Sequence, residues 1–265
     1  MNDARHASAS FETGAISHVG RVRSANEDNL VVRPQFGIWA VADGMGGHEN
    51  GALASATVAT AVERIGAAQS APDLLAQLEH GVLQANAELR RHIADRGGAP
   101  MGSTLAVLLV HDRHFACVWS GDSRIYLLRA GRMIQISRDH TEVQEMVERG
   151  LLTPEEAKRS PRRHVITRAI GVHDMPELDL ESGEIENEDA FVLCSDGLTE
   201  HVADDEILRA VAAGGAQEAC EALLALTLQR GARDNVTVIV VRYHRDETGA
   251  VQWMPNMRLQ GSDMP

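Results

Sequence analysis

A chain of 265 residues can enclose one large hydrophobic core or two small ones. Its 38 acidic and 25 basic side chains leave a net charge of −13, which argues against a nucleic-acid binder, since that class presents a basic face. The same balance suits a soluble surface, or a carboxylate cluster that metal cations partly neutralise.

No apolar run nears the roughly 20 residues that span a bilayer. The opening MNDARHASAS lacks an apolar signal core, so a cytoplasmic protein without a membrane partner is expected. Aromatics make up only 3% of the chain, so the core must be built from Ala, Val, Leu and Ile. Cys117, Cys194 and Cys220 are widely spaced and form no CxxC pair. They read as buried free thiols, not as a zinc-thiolate site.

In chain order, residues 1–10 are small and polar and read as a tail. Strands are expected at 29–33 and 37–42, joined by a Pro-containing turn into a hairpin. An Ala-rich, mostly apolar helix follows at 51–66, and a second helix with Pro72 at its start covers 72–95. Leu74, Leu75, Leu78, Val82, Ala85, Leu89 and Ile93 give that second helix its apolar stripe. Two more hairpins are expected, 103–110 with 114–119 and 125–129 with 133–136. Residues 138–170 are charged, carry the helix-start signal TPEE at 153–156, and read as a small inserted subdomain. A strand at 190–194, helices at 204–213 and 216–230, and a strand at 236–243 complete the series. Residues 246–265 have no period and read as a second tail. Hairpins with sequence-adjacent helix pairs predict an α+β sandwich of antiparallel sheets with helices outside. The folded domain is expected to cover 11–245.

One arrangement recurs at the ends of the apolar runs. IWAVADG sets Asp43 and Gly44 after a strand, ACVWSGDS sets Asp122 after another, AFVLCSDG sets Asp196 after a third, and in RDNVTVIVV Asp234 comes just before a strand. Any single Asp-Gly there is an ordinary turn. Antiparallel neighbours bring the end of one strand beside the start of the next, so four such sites predict carboxylates gathered at one edge. Unscreened, they would repel one another strongly. Oxygen ligands of this kind favour Mg²⁺ or Mn²⁺, and two such ions suit phosphate-ester hydrolysis. Arg23 could grip a phosphate through two N–H groups, and Glu27 and Asp28 could ligate a metal directly or through its waters. His48, just before a helix, could donate a proton to a leaving alkoxide. Read singly, these three features would be a solvated loop and a surface histidine.

Together the motifs VRSANED (22–28), VADGMGGH (41–48), MGSTL (101–105), SGDSRIYLL (120–128), HVITRAIG (164–171), LCSDGL (193–198) and ARDNVTVIVV (232–241) resemble the protein phosphatase 2C (PPM) family in its compact bacterial form. The resemblance covers about residues 12–243. It implies a four-layer α-β-β-α sandwich of two antiparallel sheets flanked by helix pairs, with 138–170 as a flap over the site. It implies a metal-dependent serine/threonine protein phosphatase in which water held between two Mn²⁺ or Mg²⁺ ions attacks the phosphorus. In that scheme Asp43 bridges both metals, the Gly44 carbonyl ligates the second, and Asp196 and Asp234 complete the first. Asp28, with Glu27, acts through metal-bound water. Asp122 with Asp196 holds a weaker third ion. Arg23 binds the phosphate, His48 is the general acid, and Asn235 supports the site by hydrogen bonding. Phosphorylated proteins and a cognate serine/threonine kinase are the implied partners, with the enzyme acting as a monomer. A different phosphate-ester or nucleotide hydrolase and a non-catalytic binding module are the rival readings. Two departures from the family pattern stand out. Ala232-Arg233 replaces the Gly-Pro or Gly-Ser common before the last Asp-Asn, and the Glu common after Gly51 is absent.

Overall fold

The computed structural model of the protein describes residues 9–47, 49–95, 97 and 99–245. The expected general acid His48, the tail up to residue 8 and the tail 246–265 lie outside the described residues.

Among the described residues, eleven strands form two sheets in which every pairing is antiparallel. The first sheet runs β1 (Ala9–His18), β11 (Val236–Arg245), β10 (Ala190–Cys194), β7 (Arg124–Arg129), β8 (Arg132–Gln135). The second runs β2 (Asp28–Arg33), β3 (Ile38–Met45), β5 (Leu105–His111), β6 (His114–Ser120), β9 (Asp179–Glu184), with the short β4 (Gly102–Ser103) on β3. The helices are α1 (Glu49–Glu63), α2 (Ala71–Asp95), α3 (Glu142–Glu148), α4 (Pro154–Arg159), α5 (Asp196–Thr199), α6 (Asp204–Ala213) and α7 (Ala216–Gln229). None of the described helices is long and apolar enough to cross a membrane.

Side chains alternate across a strand, so a strand covered on both faces must be apolar at every position. That accounts for the unbroken apolar runs. In β5, Leu105, Val107 and Leu109 pack outward against α1 and α2, while Ala106, Leu108 and Val110 pack between the sheets. In β11, Val238 and Val240 meet the α6–α7 layer, while Ile239, Val241 and Tyr243 face the other sheet. Three cores therefore separate four layers, helix pair, sheet, sheet, helix pair, in agreement with the expected α+β sandwich.

The expected hairpins form. Ala130 (φ 50°) and Gly131 (φ 73°) make a two-residue turn, because Arg129 and Arg132 are already paired. Two strands escape the sequence reading. β1 pairs with β11 along its whole length, from Ala9↔Arg245 to His18↔Val236, so the fold begins two residues inside the expected tail. β9 (DLESGE) is polar and lies at a sheet edge, where only one neighbour constrains it. Asp43 and Gly44 also sit within β3 and not in a turn after it, since β4 extends the pairing through Gly44↔Ser103 and Met45↔Gly102.

Segment 138–170 holds α3 and α4. Thr153 caps α4 in a reciprocal box with Glu156, as its sequence signal predicts. The segment is tied down at both ends. Trp119 Nε1 donates to the Arg138 carbonyl at 2.9 Å, and Ser103 and Ile170 exchange backbone hydrogen bonds.

Candidate active site

The period of two along the strands builds this site. Val41 and Trp39 of β3 and Leu30 and Val32 of β2 face the other sheet. Two residues beyond Val41 on the same face is Asp43, and two before Leu30 is Asp28. The two aspartates are register partners and therefore share that face. From the other sheet, Thr237 lies two residues before the inward Ile239. The apolar layer between the sheets thus ends in a polar one.

Asp28 is buried, at 6% exposure. Its Oδ2 accepts from Ser195 Oγ (2.8 Å) and Thr237 Oγ1 (2.7 Å), both on the opposite sheet's side. Its Oδ1 has no hydrogen-bond partner among the described residues, and neither does Oδ1 of the buried Asp122. Burial pushes the Asp28 carboxyl up to about 7, against the pull of those two hydroxyls. Burial raises Asp43 well above the carboxylate range, and the charges of Asp28, Asp196, Asp122 and Asp234 raise it further. Asp122 is raised well above that range by burial and by Asp196 and Asp139. The expected convergence at one edge is therefore what the chain forms. Asp28 and Asp43 come from one sheet, Asp196 from the end of β10, Asp234 from the entry to β11, and Asp122 from the β6–β7 turn.

Backbone approaches the cluster closely at Gly44. Its amide donates to the Glu27 carbonyl at 3.1 Å, and a Cβ there would stand 2.0 Å from the Gly51 carbonyl oxygen. Only glycine fits that crossing of β3 and α1. Glu27 lies against Gly51, where an added Cβ would meet its carboxyl carbon at 2.8 Å. The Glu27 side chain thus fills the space that a residue with a Cβ at Gly51 would take.

Asn235 holds the loop that carries Arg23, Glu27 and Asp28. Its Nδ2 donates to the carbonyls of Val19 and Ala25, both at 2.9 Å, and its Oδ1 accepts from the Glu27 amide at 2.8 Å. Arg23 reaches back across the cluster, with Nη2 donating to Asp234 Oδ2 at 2.7 Å and just over half its side chain exposed. That bond, with the charges of Glu27 and Asp43, raises the Arg23 pKa.

Several participants carry weaker sequence signals. Thr104 of the MGSTL motif accepts from the Asp43 amide at 2.9 Å and shares a 2.8 Å hydrogen bond with Ser123. Thr237 is the polar residue inside the apolar VTVIVV run, a signal that could have marked it. His164 of the flap segment reaches Asp196 Oδ2 (3.5 Å) and Glu200 Oε1 (2.8 Å), contacts that only the tertiary fold creates.

The residues fit divalent cations. The donors are carboxylates and a nearby backbone carbonyl, the ligands of hard ions. One buried carboxylate oxygen each on Asp28 and Asp122 has no hydrogen-bond partner among the described residues, and burial first, then mutual repulsion, disfavours full ionisation of the cluster without added positive charge.

Comparison with known proteins points the same way. A model of the family described as protein phosphatase 2C matches residues 20–221. The serine/threonine protein phosphatase PstP of Mycobacterium tuberculosis is 39% identical over 229 residues, 85% of this chain. The chain spans only 44% of that relative's length. The protein phosphatase PhpP of Streptococcus pneumoniae is 31% identical over 247 residues, covering 89% of this chain and 99% of that protein. Among solved structures, PppA, a key regulatory component of T6SS in Pseudomonas aeruginosa, superposes with a TM-score of 0.83 at 39% identity, over 89% of this chain and all of that one. The catalytic domain of PstP in complex with two manganese ions superposes with a TM-score of 0.81 at 36% identity, again over 89% and 100% of the two chains.

Proposed function

The chain belongs to the protein phosphatase 2C family, and on that premise we propose that it is a metal-dependent phosphatase of phosphoserine and phosphothreonine in proteins. The observation that carries this reading is the gathering of carboxylates from both sheets at one end of the inter-sheet layer, with Arg23 at their rim.

Asp43, Asp196 and Asp234, with the Gly44 carbonyl, would hold two Mn²⁺ or Mg²⁺ ions. Asp28 and Glu27 would act through the ions' waters, and Asp122 with Asp196 would take a weaker third ion. The bound ions supply Lewis acidity, lowering the pKa of an attacking water and offsetting the phosphate charge. Arg23 presents two N–H groups to the phosphate oxygens, a geometry that lysine cannot match. Its present partner, Asp234, is one of the proposed ligands, so ligation would free the guanidinium for substrate. His48 would protonate the departing serine or threonine oxygen. Asn235 keeps the Arg23 loop in register with the Asp234 turn. On this reading the substrates come from a cognate serine/threonine kinase and its targets. The enzyme works in the cytoplasm as a monomer, without a nucleic-acid or membrane partner.

Hydrolysis of p-nitrophenyl phosphate and of a phosphothreonine peptide tests the proposal. Turnover should require Mn²⁺, stop with chelator, and vanish in Asp234→Asn. Turnover of nucleotides but not of phosphopeptides would favour another phosphate-ester hydrolase. Activity that persists without metal would sink the mechanism. His48→Ala should slow the phosphothreonine peptide far more than p-nitrophenyl phosphate, whose leaving group needs no proton. Equal slowing would remove His48 from the acid role.

A further inference from the structure

Arg233 departs from the family pattern at the residue before Asp234, and the fold fixes its backbone on three sides. The amide of Arg233 donates to His201 Nε2 at 3.2 Å. Next to it, Ala232 is fully buried, with its amide on the Thr227 carbonyl (3.1 Å) and its carbonyl accepting from the Arg21 amide (2.8 Å). Ala232 has φ +36°, a left-handed conformation that costs a non-glycine residue energy and is kept only where the surroundings demand it. Gly20 lets the two chain segments touch, since a Cβ there would stand 2.2 Å from the Asp234 carbonyl oxygen. Arg21 and Arg233 therefore leave adjoining stretches of backbone, immediately beside the turn that carries Asp234.

Both side chains are exposed, and neither forms an ion pair among the described residues. Nearby arginines behave differently. Arg162 is paired with Glu142, Arg163 lies 3.9 Å from Glu200, and Arg230 is paired with Glu206. In a chain of net charge −13, two exposed cations without acidic partners among the described residues thus leave the backbone beside a carboxylate cluster.

We propose that Arg21 and Arg233 form an anion subsite that selects substrates bearing a second negative group, a carboxylate or another phosphate, close to the phosphoresidue. The inference rests on the phosphatase reading and narrows its substrate class. Arginine binds both kinds of anion through paired N–H donors, and exposed pairs of this sort change selectivity more than chemistry.

The test compares kcat/KM, with Mn²⁺, on three phosphothreonine peptides that differ only in neighbouring residues: neutral, aspartate-flanked, and carrying a second phosphothreonine. p-Nitrophenyl phosphate is the control. The wild-type protein should prefer the anionic peptides by roughly fivefold to tenfold, as two exposed ion pairs allow, with the preference fading at 0.5 M NaCl, used here as roughly threefold physiological ionic strength. Arg21→Ala/Arg233→Ala should bring the three peptides within about twofold of one another and leave p-nitrophenyl phosphate turnover unchanged. A loss confined to the doubly phosphorylated peptide would assign the subsite to phosphate, and a loss on both to carboxylate as well. An unchanged preference in the double variant, or equal slowing of p-nitrophenyl phosphate, would overturn the subsite. Absence of p-nitrophenyl phosphate turnover in the wild-type protein would instead overturn the phosphatase reading, and the subsite with it.

Discussion

Asn235 is 5% exposed and makes three hydrogen bonds to a loop more than 200 residues away in sequence. Replacing it by alanine leaves two carbonyls and one amide without their partner. Each such group, if buried, costs about 1–3 kcal/mol. Asn235→Ala should therefore lower unfolding free energy by about 2–4 kcal/mol, read by urea denaturation. Activity should fall further than stability accounts for, because the loop holds Arg23. An Asn235→Ala protein with wild-type turnover would show that the loop is held by other contacts. At this scale the sequence is most legible where a residue breaks its surroundings. Asp43, Asp122, Asp196 and Asp234 stand out against apolar runs, and Thr237 stands out inside one. The three cysteines are buried and free, as expected, and burial pushes the Cys194 and Cys220 thiols up to about 12, which keeps them inert. The partners of Asn235 and His164 are not legible, because nothing local records a contact made across the fold.

β1 shows where local pattern fails an element. ASFETGAISH contains a glycine and three hydroxyl residues, yet it forms a full ten-residue edge strand because β11 offers an unpaired backbone beside it. The glycine has a tertiary reason. A Cβ on Gly14 would lie 2.3 Å from the backbone of Ala216, where α7 begins. Gly14→Val should push β1 off α7 and cost about 1–3 kcal/mol by overpacking, read by thermal or urea unfolding. An unchanged midpoint would mean the two elements can part freely. α4 is the opposite case, since its cap is written in TPEE. Thr153→Ala should remove about 1 kcal/mol from that helix. Faster amide exchange confined to 154–159 would register the loss, and unchanged exchange there would mean the box contributes nothing.

The carboxylate cluster, the proposed metal site, joins the two sheets. Asp28 and Asp43 belong to one, and Asp196 and Asp234 flank strands of the other. Cations between them would replace repulsion by attraction across the layer that separates the sheets, and any ligand that binds only the folded state stabilises it by mass action. Adding Mn²⁺ to chelator-treated protein should raise the melting temperature, with the rise growing with concentration and much reduced in Asp43→Asn. A melting temperature indifferent to Mn²⁺ in the wild-type protein would count against the site, whatever the activity. The sandwich and the presence of the carboxylate cluster are already legible in the amino-acid sequence. Both follow from local rules, strand alternation, helix periodicity and a charged residue at the end of an apolar run. Tertiary contacts alone settle which strand closes the first sheet, that Asp43 lies within a strand, which groups Asn235 bonds, and that Thr237 and His164 meet the cluster. Those outcomes depend on pairing energies between segments far apart in the chain, and a single segment carries no record of the surface it will meet.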